Sequence, residues 1–371
     1  MDGSSKFIPL TGGRIPSLDG LRALSIALVL LSHSVVDRSY SGHLLILTNA
    51  VVGNGGLGVS IFFVISGFLI TTLLMREQER SGSISLRNFY RRRVFRIFPV
   101  FYFYIATLAL LTITGVVFIR PIQFLWPSTF TQDYAPRVWL TGHTWSLSVE
   151  EQFYLIWPFL MAHCSRKTLR YISAAVIALD PLVRTIQLHL LPHKSYYFSG
   201  HTRADMLAFG CLTALLYDEP AFQRAVARTF SWVLPLFTLA FITAISPFIE
   251  YRLEWYRLGI FYKPLVGYSA EGICIVLLLL YAIQNTQSWT GRVLNNRAIV
   301  HIGVLSYSIY MWQGVFIGHP VWATPVWLGI PLCFVAGQIS YTFIEKPVLN
   351  LRKKFERKDS REVPVLASSA N

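Results

Sequence analysis

Charge is scarce in this chain. Only 14% of its 371 residues are Asp, Glu, Lys or Arg, against about a quarter in an ordinary soluble domain. Long polar stretches are missing as well. Between residues 19 and 345 none is large enough to fold separately, which excludes a second, water-soluble domain there. Cysteine is rare: Cys164, Cys211, Cys274 and Cys333 are far apart, and no CxxC or Cys/His spacing accompanies them. That pattern predicts no metal centre, and the four thiols read as small core residues. Acidic residues are outnumbered, 19 against 33 Lys and Arg, for a net charge of +14. In a soluble protein this would suggest nucleic acid. Here the basic residues sit in short loops between apolar runs, so the reading is membrane topology and anionic lipid, with no nucleic acid. Residues 1–18 are polar and Gly-rich, and no cleavage-site pattern follows the first apolar run, so no cleavable signal peptide is expected. No G-x-S-x-G elbow marks a serine nucleophile.

Apolar residues are abundant instead. They make up 53% of the chain, and mean hydropathy is +0.48. A bilayer core needs about 20 apolar residues per helix. Ten candidate spans follow, at 19–36, 56–75, 94–118, 149–163, 169–190, 204–217, 232–249, 266–283, 299–318 and 326–343. The fourth and sixth are short, and Pro181 should kink the fifth. The expectation is an all-α, polytopic membrane bundle of about ten transmembrane helices. It divides into a tail at 1–18, a membrane domain at 19–347 and a disordered tail at 348–371.

Loop charge orients the bundle. The segment 76–96 carries seven arginines, Arg166, Lys167 and Arg170 follow on the same side, and the C-terminal tail adds more. The opposite loops hold Arg38, Arg120 and Arg137. The positive-inside rule puts both termini in the cytoplasm of an inner-membrane protein.

Three constellations could carry chemistry. In the first span Arg22 precedes His33 by eleven residues. At 100° per residue the two share a face, about 16 Å apart along the helix. An ionisable side chain in the outer half of a bilayer is costly and is by default a functional candidate. The plainer reading of His33 is a histidine satisfied by a carbonyl inside the bundle. The second constellation is Arg91, Arg92, Arg93 and Arg96, leading into a helix at the basic side. It reads first as a topology anchor, and alternatively as a dock for a phosphate-bearing donor, since the guanidinium fork suits phosphate. The third is the run from His143 through Trp145, Ser148, Glu150, Glu151 and Tyr154, which enters from the outer side. Carboxylates there suit acid/base work. Adjacent helix positions diverge by about 100°, so only one of Glu150 and Glu151 should face a given site. The plainer reading is acids complementing a helix dipole. Weaker signals are small residues around Ser66 and Gly67, the pair Arg203 and Asp205, the aromatic run Tyr307, Tyr310, Trp312 and Gln313, and Glu345 as a terminal cap.

Taken in order, these motifs resemble the acyltransferase 3 family of membrane O-acyltransferases over residues 14–347. The resemblance rests on Leu-Asp-Gly-Leu-Arg at 18–22 with His33 beyond it, on the apolar run at 58–70, and on Arg93 to Arg96 before Pro99. It rests too on Trp-Ser-Leu-Ser-Val-Glu-Glu-Gln-Phe-Tyr at 145–154 and Ser-Tyr-Ser-Ile-Tyr at 306–310. One departure is Gln313, where the family often has histidine; an amide hydrogen-bonds but does not titrate. The resemblance implies transfer of an acetyl or other short acyl group from cytoplasmic acyl-CoA, as co-substrate, to a carbohydrate or glycolipid hydroxyl outside. No cofactor is expected to be permanently bound. It implies His33 as base, Glu150 in catalysis or acceptor binding, and Arg22, Arg93 and Arg96 on the donor. Asp19, Glu151, Trp145, Ser148, Tyr154, Arg203, Tyr310 and Gln313 are expected to support the site or shape the acceptor pocket. The rival readings are a glycan or acyl-carrier transporter, for which a polar path through a bundle also suffices, and a non-catalytic scaffold.

Overall fold

The computed structural model describes residues 15–35, 55–136, 138–191, 197–229, 233–246, 248–249, 253, 259–318 and 324–352. Expectations for the two tails, Arg38 and Arg137 fall wholly or partly outside these residues, as do positions 232 and 247 of the span at 232–249. Among the described residues there is no strand. The principal helices are α1 (Leu18–Val35), α2 (Gly55–Ser81), α3 (Leu86–Ile113), α4 (Trp145–His163), α5 (Arg166–Leu190), α6 (Ala204–Leu216), α7 (Tyr268–Gln284), α8 (Arg297–Phe316) and α9 (Val326–Ser340).

Among the described residues, six helical stretches are long and apolar enough to cross a membrane: Gly55–Ser81, Leu86–Ile113, Arg166–Leu190, Lys263–Gln284, Arg297–Phe316 and Val326–Arg352. Their outward faces are apolar too, with Leu110, Ile113, Ile186, Val335 and Phe343 exposed. In water such a surface would be an aggregation liability; in lipid it is what the solvent demands. The protein is a multi-pass membrane protein. The most apolar stretch of α2 is 83% buried, against 33% in α3 and 22% in α5, so α2 is the axis of the bundle. Two of its hydroxyls are satisfied within the helix, Thr71 and Thr72 donating to the carbonyls of Gly67 and Phe68 at 2.7 Å each.

Small residues set the close approaches, as the run around Gly67 predicts. A Cβ on Gly67 would strike the Leu207 carbonyl of α6, and one on Gly210 the Val64 carbonyl of α2. Such contacts let backbones meet where packing rather than hydrophobicity drives association. A Cβ on Gly303 would likewise strike the Asp19 carbonyl, and the Gly318 position lies against the His33 carbonyl. Thus α8 runs alongside α1 in the same direction, while α2 starts at the end where α1 finishes, with Gly55 against Ser32. Helix α5 continues through Pro181, and the Thr185 hydroxyl donates to the Pro181 carbonyl at 2.8 Å.

Candidate functional site

Two cavities open along the α1–α8 seam. The first is lined by Arg22, Ser66, Arg93, Arg96, Glu150, Tyr154 and Tyr310 among others, and encloses about 90 Å³. Each helix delivers its part by periodicity. Arg22 sits one turn into α1, Ser66 faces inward from α2, and Arg93 and Arg96 are one turn apart on α3. Glu150 and Tyr154 are four apart on α4, and Tyr310 comes from α8. Glu150 accepts from the Ser66 hydroxyl at 2.7 Å, and the Tyr154 hydroxyl lies 3.4 Å from both. Arg22 pairs with Asp19 at 3.5 Å. Arg93 spreads over the Tyr154 and Phe89 rings at 4.9 and 5.3 Å, and its Nε has no hydrogen-bond partner. Among the described residues no carboxylate lies within 4 Å of the Arg93 or Arg96 guanidinium. The cavity therefore brings three arginines to one lining carboxylate, an excess of positive charge suited to an anion such as phosphate.

The second cavity, about 270 Å³, is lined by His33, Trp139, His143, Trp145, Phe198, Gln313 and four smaller or apolar neighbours. None of its described lining residues is an arginine, lysine or carboxylate. His33 Nδ1 lies 2.9 Å from the Val29 carbonyl. A carbonyl only accepts, so Nδ1 carries the proton and Nε2 is the unprotonated nitrogen, the one able to take a proton from a ligand. The Trp139 ring meets His33 edge-on at 6.3 Å.

A thin wall separates the cavities. The Tyr310 hydroxyl donates to the His143 carbonyl at 2.6 Å. Its single proton is thereby used, so Ser146 donates to the Tyr310 oxygen, also at 2.6 Å. Tyr310 and Ser146 face the arginine cavity, while His143 and Trp145 face the histidine cavity.

Arg22, Arg93, Arg96, Glu150, Tyr154 and Tyr310 thus come together as expected, and His33, Trp145 and Gln313 form the other group. Arg22 and His33 both face inward but open on different cavities. Glu150 and His33 line different cavities: His33 Nδ1 meets the Val29 carbonyl, and Glu150 accepts from Ser66 on the other side of the wall. Of the adjacent acids, Glu150 faces a cavity and Glu151 lines neither. Ser148 also lines neither. It accepts from the Gln132 backbone N–H at 3.2 Å and so ties the loop 131–136 to α4. Arg203 lines neither, donating to Ser60 at 2.6 Å and lying over the Tyr197 and Tyr268 rings at 5.1 and 4.5 Å.

Three residues escaped the sequence reading. His143 stood in a quoted motif but was given no role; it lines the histidine cavity. Arg184 is completely buried, pairs with Asp205 at 2.7 Å and donates to the carbonyls of Pro264 and Thr202, clamping α5 to α6 and to the turn before α7. Its signal was the i,i+4 relation to Asp180, 3.9 Å away, in an otherwise apolar segment. Glu345, expected to be a simple cap, is buried, accepts from Ser308 at 3.0 Å and acts electrostatically on Arg96. The described residues hold no cluster of three or more potential metal ligands.

The chain matches the family described as an acyltransferase domain over residues 15–343. Among curated proteins it is 28% identical to the peptidoglycan O-acetyltransferase OatA of Listeria monocytogenes, over 93% of this chain and 58% of that protein. It is 26% identical to the O-acetyltransferase OatA of Staphylococcus aureus, over 92% of this chain and 57% of that protein. The chain therefore spans somewhat over half the length of these relatives. No solved structure matches it at a significant level.

Proposed function

The chain belongs to the acyltransferase 3 family, and from that premise we propose that it moves an acetyl or other short acyl group from cytoplasmic acyl-CoA to a hydroxyl of a carbohydrate-type acceptor outside. The observation that carries this reading is the pairing of an arginine-rich cavity with a charge-free histidine cavity across one tyrosine wall. The names of the relatives support O-acetyl transfer. Loop charge supports an inner-membrane bundle of about ten spans with both termini, and the arginine cavity, toward the cytoplasm.

In this mechanism Arg93 and Arg96 hold phosphate of the donor, and Arg22, fixed by Asp19, lines the way for the thioester arm. His33 Nε2 accepts the proton of the acceptor hydroxyl. The oxygen attacks the thioester carbonyl, the C–S bond breaks, and the thiolate leaves and takes up a proton. The carbonyl reaches His33 only if Tyr310 swings from the wall, giving up its bonds to His143 and Ser146. Ser66 and Tyr154 hold Glu150 at the floor, where it supports arm and acceptor rather than the imidazole.

The test is consumption of donor. Purified protein given acetyl-CoA and a surface-glycan extract should release free thiol in step with ester formation, and His33→Ala should release it about 10²–10⁴-fold more slowly while still binding acetyl-CoA. A transporter would leave the thioester intact. Wild-type protein that releases no thiol would overturn the reading.

A further inference from the structure

The histidine cavity holds more hydrogen-bonding capacity than one proton transfer needs. On residues that line it, the Trp139 indole N–H, both amide atoms of Gln313 and a ring nitrogen of His143 are buried without a hydrogen-bond partner, the other His143 nitrogen lying toward the Met311 backbone. His143 is 8% exposed and Gln313 1%. A buried polar group without a partner is costly, so three such side chains on residues around one hollow mark it as built for a polar ligand. Their chemistry is specific. A neutral imidazole offers one donor and one acceptor, an amide offers both, and the indole adds a donor, which together match hydroxyl groups. Burial and the neighbouring His33 ring push the His143 imidazole down to about 3, against a smaller opposing pull from the Met311 backbone. It therefore stays uncharged at working pH. The rings of Trp145 and Phe198, 5.0 Å apart and edge-on, frame the same hollow with apolar faces.

Building on the transferase reading, we propose that this cavity is the acceptor subsite for an uncharged sugar, in which His143 and Gln313 hold a second hydroxyl beside the one that His33 activates. The position of the anchored hydroxyl then selects which carbon is acylated. The contrast with the arginine cavity bears on the class of sugar. None of the described residues that line the acceptor side is charged and able to balance a carboxylate or phosphate on the ring, and burying an unpaired charge would cost far more than a hydroxyl does.

The experiment maps the ester the protein makes. Surface glycans from cells with and without the gene are compared by mass spectrometry and NMR, and the gene-dependent ester is located on its sugar. The expected result is an uncharged sugar carrying a free hydroxyl on the carbon next to the ester. An ester on a carboxylated or phosphorylated sugar, or on one with no neighbouring hydroxyl, would overturn the proposal. His143→Asn and Gln313→Ala should each lower ester content at least tenfold or spread it to the neighbouring position, with acetyl-CoA affinity within about twofold of wild type. Wild-type amount and position in both variants would count against the proposal. So would loss of transfer that runs in parallel with loss of acetyl-CoA binding. If the gene adds no ester at all, the transferase reading itself falls, an outcome distinct from failure of the subsite.

Discussion

The two cavities are built from the same helices yet differ in nearly every property that matters to a ligand. The arginine cavity gathers three guanidinium groups around one hydrogen-bonded carboxylate. The histidine cavity gathers two imidazoles, an amide and aromatic rings, and no ion among its described lining residues. Inside a membrane, charge is too costly to be scattered without use. On the proposed reading the difference separates two tasks: gripping an anionic donor and deprotonating a neutral acceptor. Helix α1 supplies one member to each, Arg22 and His33, at the two ends of an eleven-residue interval of about 16 Å. The tasks are thus divided by depth along a single helix.

That division predicts unequal responses to mutation. The largest should come from the histidine cavity. His33→Ala should lower the rate of acyl transfer about 10²–10⁴-fold, the range of a lost general base, and leave acetyl-CoA binding intact by calorimetry. A fall in donor affinity instead would put His33 on the wrong side of the division. The next effect belongs to the arginine cavity. Arg93→Lys keeps the charge but loses the planar fork and its stacking on Tyr154. It should raise the KM for acetyl-CoA about tenfold with little change in kcat; a kcat effect alone would show that Arg93 acts on chemistry and not on grip. The smallest effect belongs to the wall. Tyr310→Phe removes two hydrogen bonds of about 1 kcal/mol each and should change turnover less than tenfold, while raising the acceptor-independent hydrolysis of acetyl-CoA by letting water reach the thioester. Unchanged hydrolysis would mean that the wall does not limit passage between the cavities.

Much of this was legible in the sequence, for reasons that differ from residue to residue. Apolar runs place the helices because a bilayer allows few alternatives. The eleven-residue spacing of Arg22 and His33 gives a shared inward face, and adjacency separates Glu150 from Glu151. What periodicity could not give is which neighbour covers that face. The partner of His33 is a carbonyl four residues back on its own helix, a contact that carries no side-chain signature. Arg184 was hidden because its partners, Asp205 and two backbone carbonyls, come from elements distant in sequence. The wall was hidden for the same reason: Ser146 and Tyr310 are 164 residues apart. Gln313, read as a departure from the family pattern that shapes the acceptor pocket, does line the histidine cavity.

The most direct test of the division is sidedness. Sealed membrane vesicles of either orientation, loaded with surface glycan as acceptor on the side of His33, are given acetyl-CoA from one face only. Ester should form when acetyl-CoA meets the face of the basic loops and Arg93, in inside-out vesicles, and not when it meets the opposite face. Equal ester formation from both faces, or formation only in sealed right-side-out vesicles, would contradict an inner donor cavity and an outer acceptor cavity.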